Sequence, residues 1–318
     1  MALLEVRDLT VEYASTTGVV RAVDEVSLDL ETGEVLGVVG ESGSGKTTLV
    51  LAALRLVPEP GRVVGGCVRL RGEDLRQLSP GAMRRLRGKE IAYVPQAAMS
   101  SLNPVMTVGA QIGESLELHT DLVGERAEAR VRDVLEMVEL GAAVASRYPH
   151  ELSGGMRQRA VIAMALVAGP SVVLADEPTS GLDVLVRVQV LRLVRRIAAD
   201  LGLSLLLVSH DLPLVSRWCD RAVVMYAGRI VEEAPAGELL TAALHPYTQG
   251  LARSLPRLRG QFDPVPIGGE VPDLSRLPLG CAFQDRCPRV TDICRKHVPQ
   301  LVPVAGHRVA CHLYDERR

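Results

Sequence analysis

Residues 35 to 49 constrain the fold of this chain more than any other stretch. They read Val-Leu-Gly-Val-Val-Gly-Glu-Ser-Gly-Ser-Gly-Lys-Thr-Thr-Leu, an apolar run followed by a glycine-rich loop and then by a helix-forming stretch. A loop of this kind points backbone N–H groups at one anion, while its lysine neutralises the outer phosphates and the next threonine binds Mg²⁺. A tight strand-to-helix turn without a ligand is the alternative. The predicted nucleotide-binding residues of the loop are Gly40, Ser42, Gly43, Ser44, Gly45, Lys46, Thr47 and Thr48.

Length and composition limit the classes of protein to which the chain can belong. Its 318 residues suffice for one large α/β domain with an appendage, or for two domains. The formal charge of −2 indicates no broad basic surface, so no nucleic-acid partner is expected. The longest apolar run, Ala160 to Ala168, has nine residues and is too short to span a bilayer. Because Glu5, Arg7 and Asp8 interrupt any signal-peptide core, we expect the chain to stay in the cytoplasm.

Hydrophobic periodicity predicts strands and helices that alternate around the loop. Residues 3 to 13 and 23 to 30 alternate apolar and polar side chains and are predicted to form an antiparallel edge. From about residue 107 to 168 the pattern is helical throughout, which indicates a helical subdomain between strands. The βαβ alternation predicts a mostly parallel, covered sheet. The other predicted elements are helix 46–56, strands 63–70, 91–94 and 171–176, helix 184–200, strand 203–208 and two strands within 221–234.

Polar and aromatic residues at the ends of predicted strands are candidate site residues. Asp176 and Glu177 end a buried strand, where Mg²⁺ and an attacking water would sit beside a phosphate loop. Two solvated surface acids are the alternative. His210 follows the next strand, a position at which a single histidine is often structural. Tyr13 ends the first alternating segment, where its ring could stack on an adenine or simply pack.

Residues 152 to 159 read Leu-Ser-Gly-Gly-Met-Arg-Gln-Arg and lie just ahead of the acidic strand. They look like the signature motif of ATP-binding-cassette ATPases, and with the other motifs the chain resembles that family from residue 1 to about 245. The resemblance implies a RecA-like P-loop nucleotide-binding α/β domain with an antiparallel β edge and an all-helical subdomain at about 97–168. It implies that Gln96 is the Q-loop glutamine and that Tyr13 stacks on adenine. It further implies that Ser180-Gly181-Leu182-Asp183 is the D-loop and that His210 is the switch histidine.

The same resemblance implies a mechanism. Lys46 and the loop amides would hold the β- and γ-phosphates, and Mg²⁺ would lie among Thr47, Gln96 and Asp176. Glu177 would orient the attacking water, and His210 would contact the γ-phosphate.

The resemblance also implies that two cassettes pack head to tail. The residues Ser153, Gly154 and Gly155 of each cassette would then close on the ATP of the other. At a helix start these residues form an anion site, whereas the alternative is an ordinary serine N-cap followed by flexible glycines.

The composition changes from His245 onward, where prolines multiply and four of the six cysteines appear. Because disulfides are not expected in a reducing cytoplasm, the clustered thiols indicate a metal site. Four thiolates suit Zn²⁺ or an iron–sulfur cluster, and His307 and His312 could add zinc ligands. Four ordinary thiols in a small packed tail are the alternative. The four cysteines are Cys281, Cys287, Cys294 and Cys311.

Three C-terminal stretches, 245–248, 269–272 and 280–312, look like the tail of oligopeptide and dipeptide importer ATPase subunits. Residues 101–108 are similar to that group too. The group implies a small Cys-rich C-terminal extension at 246–318, behind a nucleotide-binding domain at 1–245, with a 4Fe-4S cluster on the four cysteines. The chain departs from the group's pattern at Ala97-Ala98 and at Ser180-Gly181, and the first departure bears on the substrate class.

The resemblance thus predicts the ATP-hydrolysing subunit of a peptide importer at the cytoplasmic face of the cell membrane. It implies two transmembrane permease subunits, a second ATPase subunit and an extracytoplasmic peptide-binding protein as partners. One alternative is an importer ATPase for another solute, such as nickel or a glycoside. Another is a soluble cassette ATPase that acts on ribosomes or DNA. That class would show two cassettes in one chain, a long coiled-coil insertion or a basic face, and the sequence shows none of them.

Overall fold

A computed structural model describes residues 2–16, 18–96, 101–255 and 265–315. Ala97 and Ala98, where the sequence departs from the importer pattern, lie outside these residues. The strands are β1 (Ala2–Ser15), β2 (Gly18–Glu31), β3 (Val35–Val39), β4 (Gly61–Leu70), β5 (Glu73–Asp74), β6 (Ile91–Val94), β7 (Val172–Asp176), β8 (Ser204–Ser209), β9 (Arg221–Tyr226), β10 (Arg229–Pro235), β11 (Leu301–Val304) and β12 (His307–Ala310). The α-helices are α1 (Lys46–Ala53), α2 (Pro80–Leu86), α3 (Val108–His119), α4 (Glu125–Met137), α5 (Gly154–Leu166), α6 (Val184–Leu201), α7 (Leu212–Trp218), α8 (Pro246–Arg253) and α9 (Asp292–Lys296).

The chain divides into two compact units. The first comprises Met1–Leu4, Leu30–Val35 and Leu70–Val208, and the second comprises Glu5–Asp29, Leu36–Arg69 and Ser209–Arg318. None of the helices in the part of the chain that the model describes is both long and apolar enough to cross a membrane.

The first unit is built on three parallel strands. Strand β6 pairs with β7, with Ile91 opposite Val172, and β7 pairs with β8, with Val172 opposite Ser204. Every residue of β7 and β8 is buried. Burial on both faces explains why these strands are continuous apolar runs rather than alternating ones.

Helices α3, α4 and α5 of the first unit pack against one another and confirm the predicted helical region. Thr107 accepts a hydrogen bond from the N–H of Ala110 at 3.3 Å and so caps the start of α3. Val134 and Leu135 on α4 are fully buried, as the period of the apolar residues requires. Two 3-10 turns, Ala142–Ser146 and Pro149–Glu151, connect α4 to α5.

The second unit contains a mixed sheet in the order β3-β9-β10-β12-β11. Strand β3 runs parallel to β9, whereas the pairs β9–β10, β10–β12 and β11–β12 are antiparallel. Strands β2, β1 and β4 are neighbours in a separate sheet. Side-chain ion pairs join Arg7 to Asp29 and Glu12 to Arg21, so β1 and β2 run in opposite directions as predicted.

The C-terminal elements of the second unit surround an aromatic cluster made of Tyr226, Tyr247 and Phe283. The ring of Phe283 lies 5.2 Å from that of Tyr226 and 5.4 Å from that of Tyr247, between centroids. All three side chains are buried, and Val224 and Leu239 belong to the same core. Aromatic pairs at such distances stabilise a core beyond the area that they bury. Tyr247 and Phe283, which follow His245 in the chain, are therefore part of a packed core, although the apolar periodicity fades there.

Candidate functional site

The phosphate loop begins directly after the buried strand β3 and ends at α1. Gly43 and Gly45 have φ values of 80° and 99°, which L side chains rarely adopt. A Cβ at Gly40 would overlap the carbonyl oxygen of Met225, and one at Gly45 would overlap that of Ala22. The turn therefore requires glycine at all three positions, for reasons of conformation or of space.

Lys46 is the first residue of α1, and its side chain lies along the loop. Its Nζ donates to the carbonyl oxygens of Gly40 and Glu41, each at 2.8 Å, and to Ser44 Oγ at 3.2 Å. No side chain caps the start of α1, and its first turn has no acidic residue. Backbone N–H groups, a helix N-terminus and an ammonium group in one loop form an arrangement that fits a phosphate. Of the other predicted loop residues, Ser42 is exposed, while Thr47 and Thr48 are half-buried.

The two other predicted residues of the second unit have different surroundings. The ring of Tyr13 lies so close to Gly61 that a Cβ there would be 2.5 Å from Tyr13 Cε1. Gly61 thus makes room for the tyrosine ring, which is half-buried. His210 is exposed at the end of β8, directly before Asp211, which caps α7 by accepting from the N–H of Leu214 at 3.1 Å.

In the first unit, Gln96, Asp176 and Glu177 are brought together by the paired strands β6 and β7. Asp176 is fully buried. The burial of Tyr93 itself, and secondly the charge of Asp176, raise the pKa of Tyr93 to about 12. Glu177 has a φ of 45°, and its N–H donates to the Val208 carbonyl at 3.0 Å. Gln96 Nε2 donates to Glu177 Oε2 at 3.4 Å. Gln96 and Glu177 are therefore in contact, and the buried Asp176 directly precedes Glu177.

Ser153 is the N-cap of α5, as the alternative interpretation of the signature stretch expects. Its Oγ accepts a hydrogen bond from the N–H of Met156 at 3.4 Å, and the side chain is exposed. Gly155 has a packing role that the sequence pattern did not indicate, because a Cβ there would be 2.6 Å from Val186 Cγ1. The cap does not conflict with an anion site, because a serine hydroxyl and exposed helix-start amides can also contact a phosphate.

Asp183, at the end of the predicted D-loop, is the N-cap of α6. Its Oδ1 accepts hydrogen bonds from the N–H groups of Leu185 and Val186, at 3.1 and 3.0 Å. The negative charge of an aspartate at this position also interacts favourably with the positive end of the helix dipole. This residue therefore has a structural role that is independent of any nucleotide.

The prediction of a 4Fe-4S cluster on the four C-terminal cysteines is wrong. In the ranges that the model describes, which include all four thiols, no group of three or more His, Cys, Asp or Glu side chains is placed to hold a metal ion. Burial raises the pKa of Cys281 to about 11 and also raises the pKa of Cys287 and Cys311. Spacing in the sequence did not reveal how the thiols are oriented.

The zinc alternative is contradicted by the same finding, since neither candidate histidine joins a ligand set. Imidazole nitrogens of His307 lie 2.8 Å from Glu232 Oε1 and 3.0 Å from Glu238 Oε2. His312 Nε2 lies 2.8 Å from the carbonyl oxygen of His297. Cys281 and Cys287 pack against the hydrophobic core that contains the aromatic cluster, which is the behaviour of small apolar side chains.

Sequence reasoning missed the partners of Glu41, the second residue of the phosphate loop. Arg286 forms a bidentate ion pair with its carboxylate, and Tyr247 Oη accepts a hydrogen bond from its N–H. Arg286 is 245 positions and Tyr247 is 206 positions away from Glu41 along the chain, so no local pattern could reveal them.

The chain matches two protein-family models. The model of the ABC transporter family matches residues 23–180. The model of the oligopeptide/dipeptide transporter C-terminal region matches residues 231–294.

Relatives match along almost the whole chain. The oligopeptide transport ATP-binding protein AppD of Bacillus subtilis is 40% identical over 319 residues, covering 99% of this chain and 97% of AppD. The dipeptide transport ATP-binding protein DppD of Haemophilus influenzae is 41% identical over 315 residues, covering 98% and 96%.

A solved structure of the ATP-binding cassette MJ0796, a dimer in a post-hydrolysis state bound to ADP and Pi, is also similar. Its TM-score is 0.66 at 26% identity, and the match covers 73% of this chain and 98% of that one. The chain therefore belongs to the ABC transporter ATP-binding proteins, in the group that carries the oligopeptide/dipeptide transporter C-terminal region.

Proposed function

We propose that this chain is the ATP-hydrolysing subunit of an importer that takes up di- or oligopeptides. The observation that carries the proposal is the similarity, along nearly the full length, to relatives named for oligopeptide and dipeptide transport. The C-terminal match is to a region described for the same transporters.

For nucleotide binding, we assign the phosphate loop of the second unit to the triphosphate. Lys46 and the N–H groups between Gly40 and Thr48 bind the β- and γ-phosphates, and Tyr13 stacks on the adenine. Mg²⁺ would be held by Thr47, Gln96 and Asp176, and it would supply charge neutralisation at the phosphates. The sterically required glycines and the uncapped start of α1 support this assignment.

For hydrolysis, we assign Glu177 to orienting the attacking water and accepting its proton. The hydrogen bond from Gln96 Nε2 holds the carboxylate, and the N–H to Val208 fixes the backbone of Glu177. His210, exposed at a strand end, donates to the γ-phosphate and stabilises the charge that develops there. Catalysis is then positioning and electrostatics rather than covalent chemistry.

For coupling, we propose that the chain pairs head to tail with a second ATPase subunit, which is a paralogue. The helix start at Ser153, which is exposed, and at the half-buried Gly154 and Gly155 closes on the ATP of that subunit, and Asp183 lies at the same interface. Helix-start amides and a serine hydroxyl are suited to the γ-phosphate. The dimeric structure of the similar cassette MJ0796, bound to ADP and Pi, supports pairing of two cassettes.

We further propose that residues 1–245 form the nucleotide-binding domain, with a helical subdomain at about 97–168, and that residues 246–318 form a Cys-rich C-terminal extension. Two transmembrane permease subunits hold the pair at the cytoplasmic face of the cell membrane, and an extracytoplasmic binding protein delivers the peptide.

Reconstitution in proteoliposomes tests the transport proposal. The chain is combined with its permeases, the second ATPase subunit and the binding protein, and ATP hydrolysis is followed with dipeptides, longer peptides, Ni²⁺ or a glycoside in the lumen. We expect peptide-loaded binding protein to stimulate hydrolysis and peptide to accumulate on the side of the ATPase. Stimulation by Ni²⁺ or by a glycoside, with none by peptides, would contradict the proposed substrate class.

A further inference from the structure

The side chain of Arg286, in the C-terminal region, reaches the phosphate loop. Its two terminal nitrogens donate to the two carboxylate oxygens of Glu41, at 2.7 and 3.0 Å. The Arg286 side chain is only 5% exposed, and that of Glu41 is 25% exposed. Bidentate pairs of this kind combine charge with fixed geometry, and breaking a buried pair leaves a charge without compensation.

Arg286 is held in this orientation from several sides. Its Nε donates to the Gly268 carbonyl at 3.0 Å, and one terminal nitrogen also donates to Tyr226 Oη at 3.4 Å. Its guanidinium carbon lies 5.8 Å from the ring centre of Tyr226 and 5.9 Å from that of Phe283. The ion pair and these contacts raise the pKa of Arg286 above its already high value. The guanidinium is therefore a permanent, fixed charge beside the loop.

A second contact from the same region fixes the backbone of Glu41. The N–H of Glu41 donates to Tyr247 Oη at 2.9 Å, and the Tyr247 side chain is fully buried on α8. Burial, and then the Glu41 charge, raise the pKa of Tyr247, so its hydroxyl stays protonated. The side chain of Glu41 is thus bound by Arg286, and its backbone N–H is bound by Tyr247.

Glu41 in turn lies at the centre of the loop's own hydrogen bonds. Its carbonyl oxygen accepts from Lys46 Nζ at 2.8 Å and from the N–H of Ser44 at 3.2 Å. A shift of Glu41 would therefore move the oxygen that holds the lysine ammonium. Glu41 is also an anion within a loop whose proposed ligand carries several negative charges, so its carboxylate repels that ligand unless it is neutralised.

We propose that Arg286 and Tyr247 are positioning residues for the nucleotide site, and that Arg286 neutralises Glu41 so that the phosphate loop accepts a nucleoside triphosphate. The inference rests on the proposed function, because it assigns ATP to this loop. It gives the C-terminal region a task within the ATPase itself, in addition to any contact with transporter partners. Neither residue touches the reacting atoms.

Equilibrium binding of a fluorescent ATP analogue to the full-length chain, with Mg²⁺, tests the proposal. Arg286→Gln leaves the Glu41 carboxylate charged and without its compensating guanidinium. Because that carboxylate then repels the phosphates, the Kd for the ATP analogue should rise roughly tenfold. Arg295→Gln is the matched control, because Arg295 is exposed in the same region and the same charge is lost. It should leave the Kd unchanged.

The double variant Glu41→Gln with Arg286→Gln separates charge compensation from simple loss of packing. Removing both charges should bring the Kd back to within about threefold of wild type. In ATPase assays Arg286→Gln should raise KM more than it lowers kcat, since the chemistry is untouched. Tyr247→Phe, which removes the acceptor for the Glu41 N–H, should weaken binding about threefold.

Three results would overturn the inference. They are a wild-type Kd for Arg286→Gln, a double variant that binds as weakly as Arg286→Gln, and an unchanged Kd for Tyr247→Phe. The last test stands even where Arg286→Gln does not fold. Lys46→Ala is the reference for the proposed function itself, and it should weaken binding strongly. If the wild type and Lys46→Ala bind the analogue equally, the loop assignment fails; if they differ while Arg286→Gln binds normally, only the positioning role fails.

Discussion

Glu177 combines three properties that distinguish it from the other acidic residues of the chain. It directly follows a fully buried aspartate, its φ is 45°, and Gln96 donates to its carboxylate. A non-glycine residue in the left-handed region costs free energy, and such strain persists where the surroundings impose it. The hydrogen bond from its N–H to Val208 is one such restraint. The geometry supports a carboxylate that is held in place for chemistry.

Glu177→Gln should therefore separate binding from hydrolysis. An amide keeps the size of the side chain but cannot accept a proton from water, so kcat should fall by about 10² to 10⁴. The Kd for ATP should change little, because the carboxylate does not hold the phosphates. Single-turnover hydrolysis and analogue binding measure the two quantities.

The matched control for that variant is Glu117→Gln. Glu117 is exposed on α3, and the substitution removes the same charge from the same unit. We expect normal hydrolysis. If Glu177→Gln also turned ATP over at the wild-type rate, Glu177 would not be the residue that activates water.

The sequence predicted the residue-level features that depend on neighbouring positions, and it failed where distant side chains decide. The three glycines of the phosphate loop lie at a turn that requires them, and the acidic pair stands at the end of a buried strand. The pairing of Glu41 with Arg286 joins positions 245 apart, and no periodicity reports it. The iron–sulfur prediction failed for a related reason, since spacing does not determine where Cys281 and its neighbours point.

At the scale of elements, the packing of α5 on α6 depends on Gly155. A Cβ at this position would lie 2.6 Å from Val186 Cγ1, well inside ordinary contact. Val186 is β-branched and stands in the first turn of α6, where one χ1 rotamer is strongly preferred. The valine therefore cannot move aside without cost.

Gly155→Ala should lower the free energy of unfolding by about 1–3 kcal/mol, the usual cost of overpacking. Gly113→Ala is the control, because Gly113 lies within α3 and a Cβ there would meet nothing within 4 Å. That change should stabilise the protein by about 0.5–1 kcal/mol, since alanine favours helix. Urea unfolding gives both values, and equal effects at the two glycines would contradict the packing role.

The hairpin of β11 and β12 is attached to β10 by a buried histidine. His307 lies between Glu232, which is fully buried, and Glu238. Burial lowers the pKa of His307, but the hydrogen bonds and charges of the two glutamates outweigh it, so the pKa is raised above 6.5. The folded chain thus holds this proton more tightly than the unfolded chain does.

A raised histidine pKa stabilises the fold below the unfolded value, and the contribution is lost as pH rises through the folded pKa. Between about pH 6 and pH 9, the free energy of unfolding should therefore decline more for wild type than for His307→Gln. His150→Gln is the control, because His150 is exposed. Urea unfolding across this range, with parallel wild-type and His307→Gln curves, would contradict the assignment.

The elements themselves could be predicted in the first 235 residues far better than in the rest. Strand β6 has the predicted bounds, and α6 differs by one residue at its end. Helix α1 ends at Ala53, three residues before the predicted end, because a 3.6-residue period does not show where capping begins. Strands β11 and β12 have four residues each, which is too short for alternation to be recognised.

At the scale of the whole molecule, two of the helix starts that the model describes suit a phosphate, one at α1 and one at α5. One nucleotide needs only one phosphate loop, so the second helix start is explained if it serves the ATP of another subunit. Ser153 is exposed, as a residue that contacts a partner must be in the isolated chain. Hydrolysis by this chain should therefore depend on a second cassette and on Ser153.

Ser153→Asp tests this dependence without destroying the helix. Aspartate caps a helix as well as serine does, so α5 should remain folded, but its charge would repel the γ-phosphate of the other subunit. ATP hydrolysis in the assembled importer should fall at least about tenfold, while analogue binding to the isolated chain stays normal. Activity per chain should rise with the concentration of the second ATPase subunit.

Ser153→Asn is the matched control, because asparagine also caps the helix and carries no charge. It should retain more hydrolysis than Ser153→Asp. Because both variants keep a capping side chain, the difference in activity measures the repulsion between the aspartate charge and the phosphate. A monomer that hydrolyses ATP at full speed at every dilution, with Ser153→Asp as active as wild type, would contradict pairing. Ser153 would then serve only as the N-cap of α5, which accepts a hydrogen bond from the N–H of Met156.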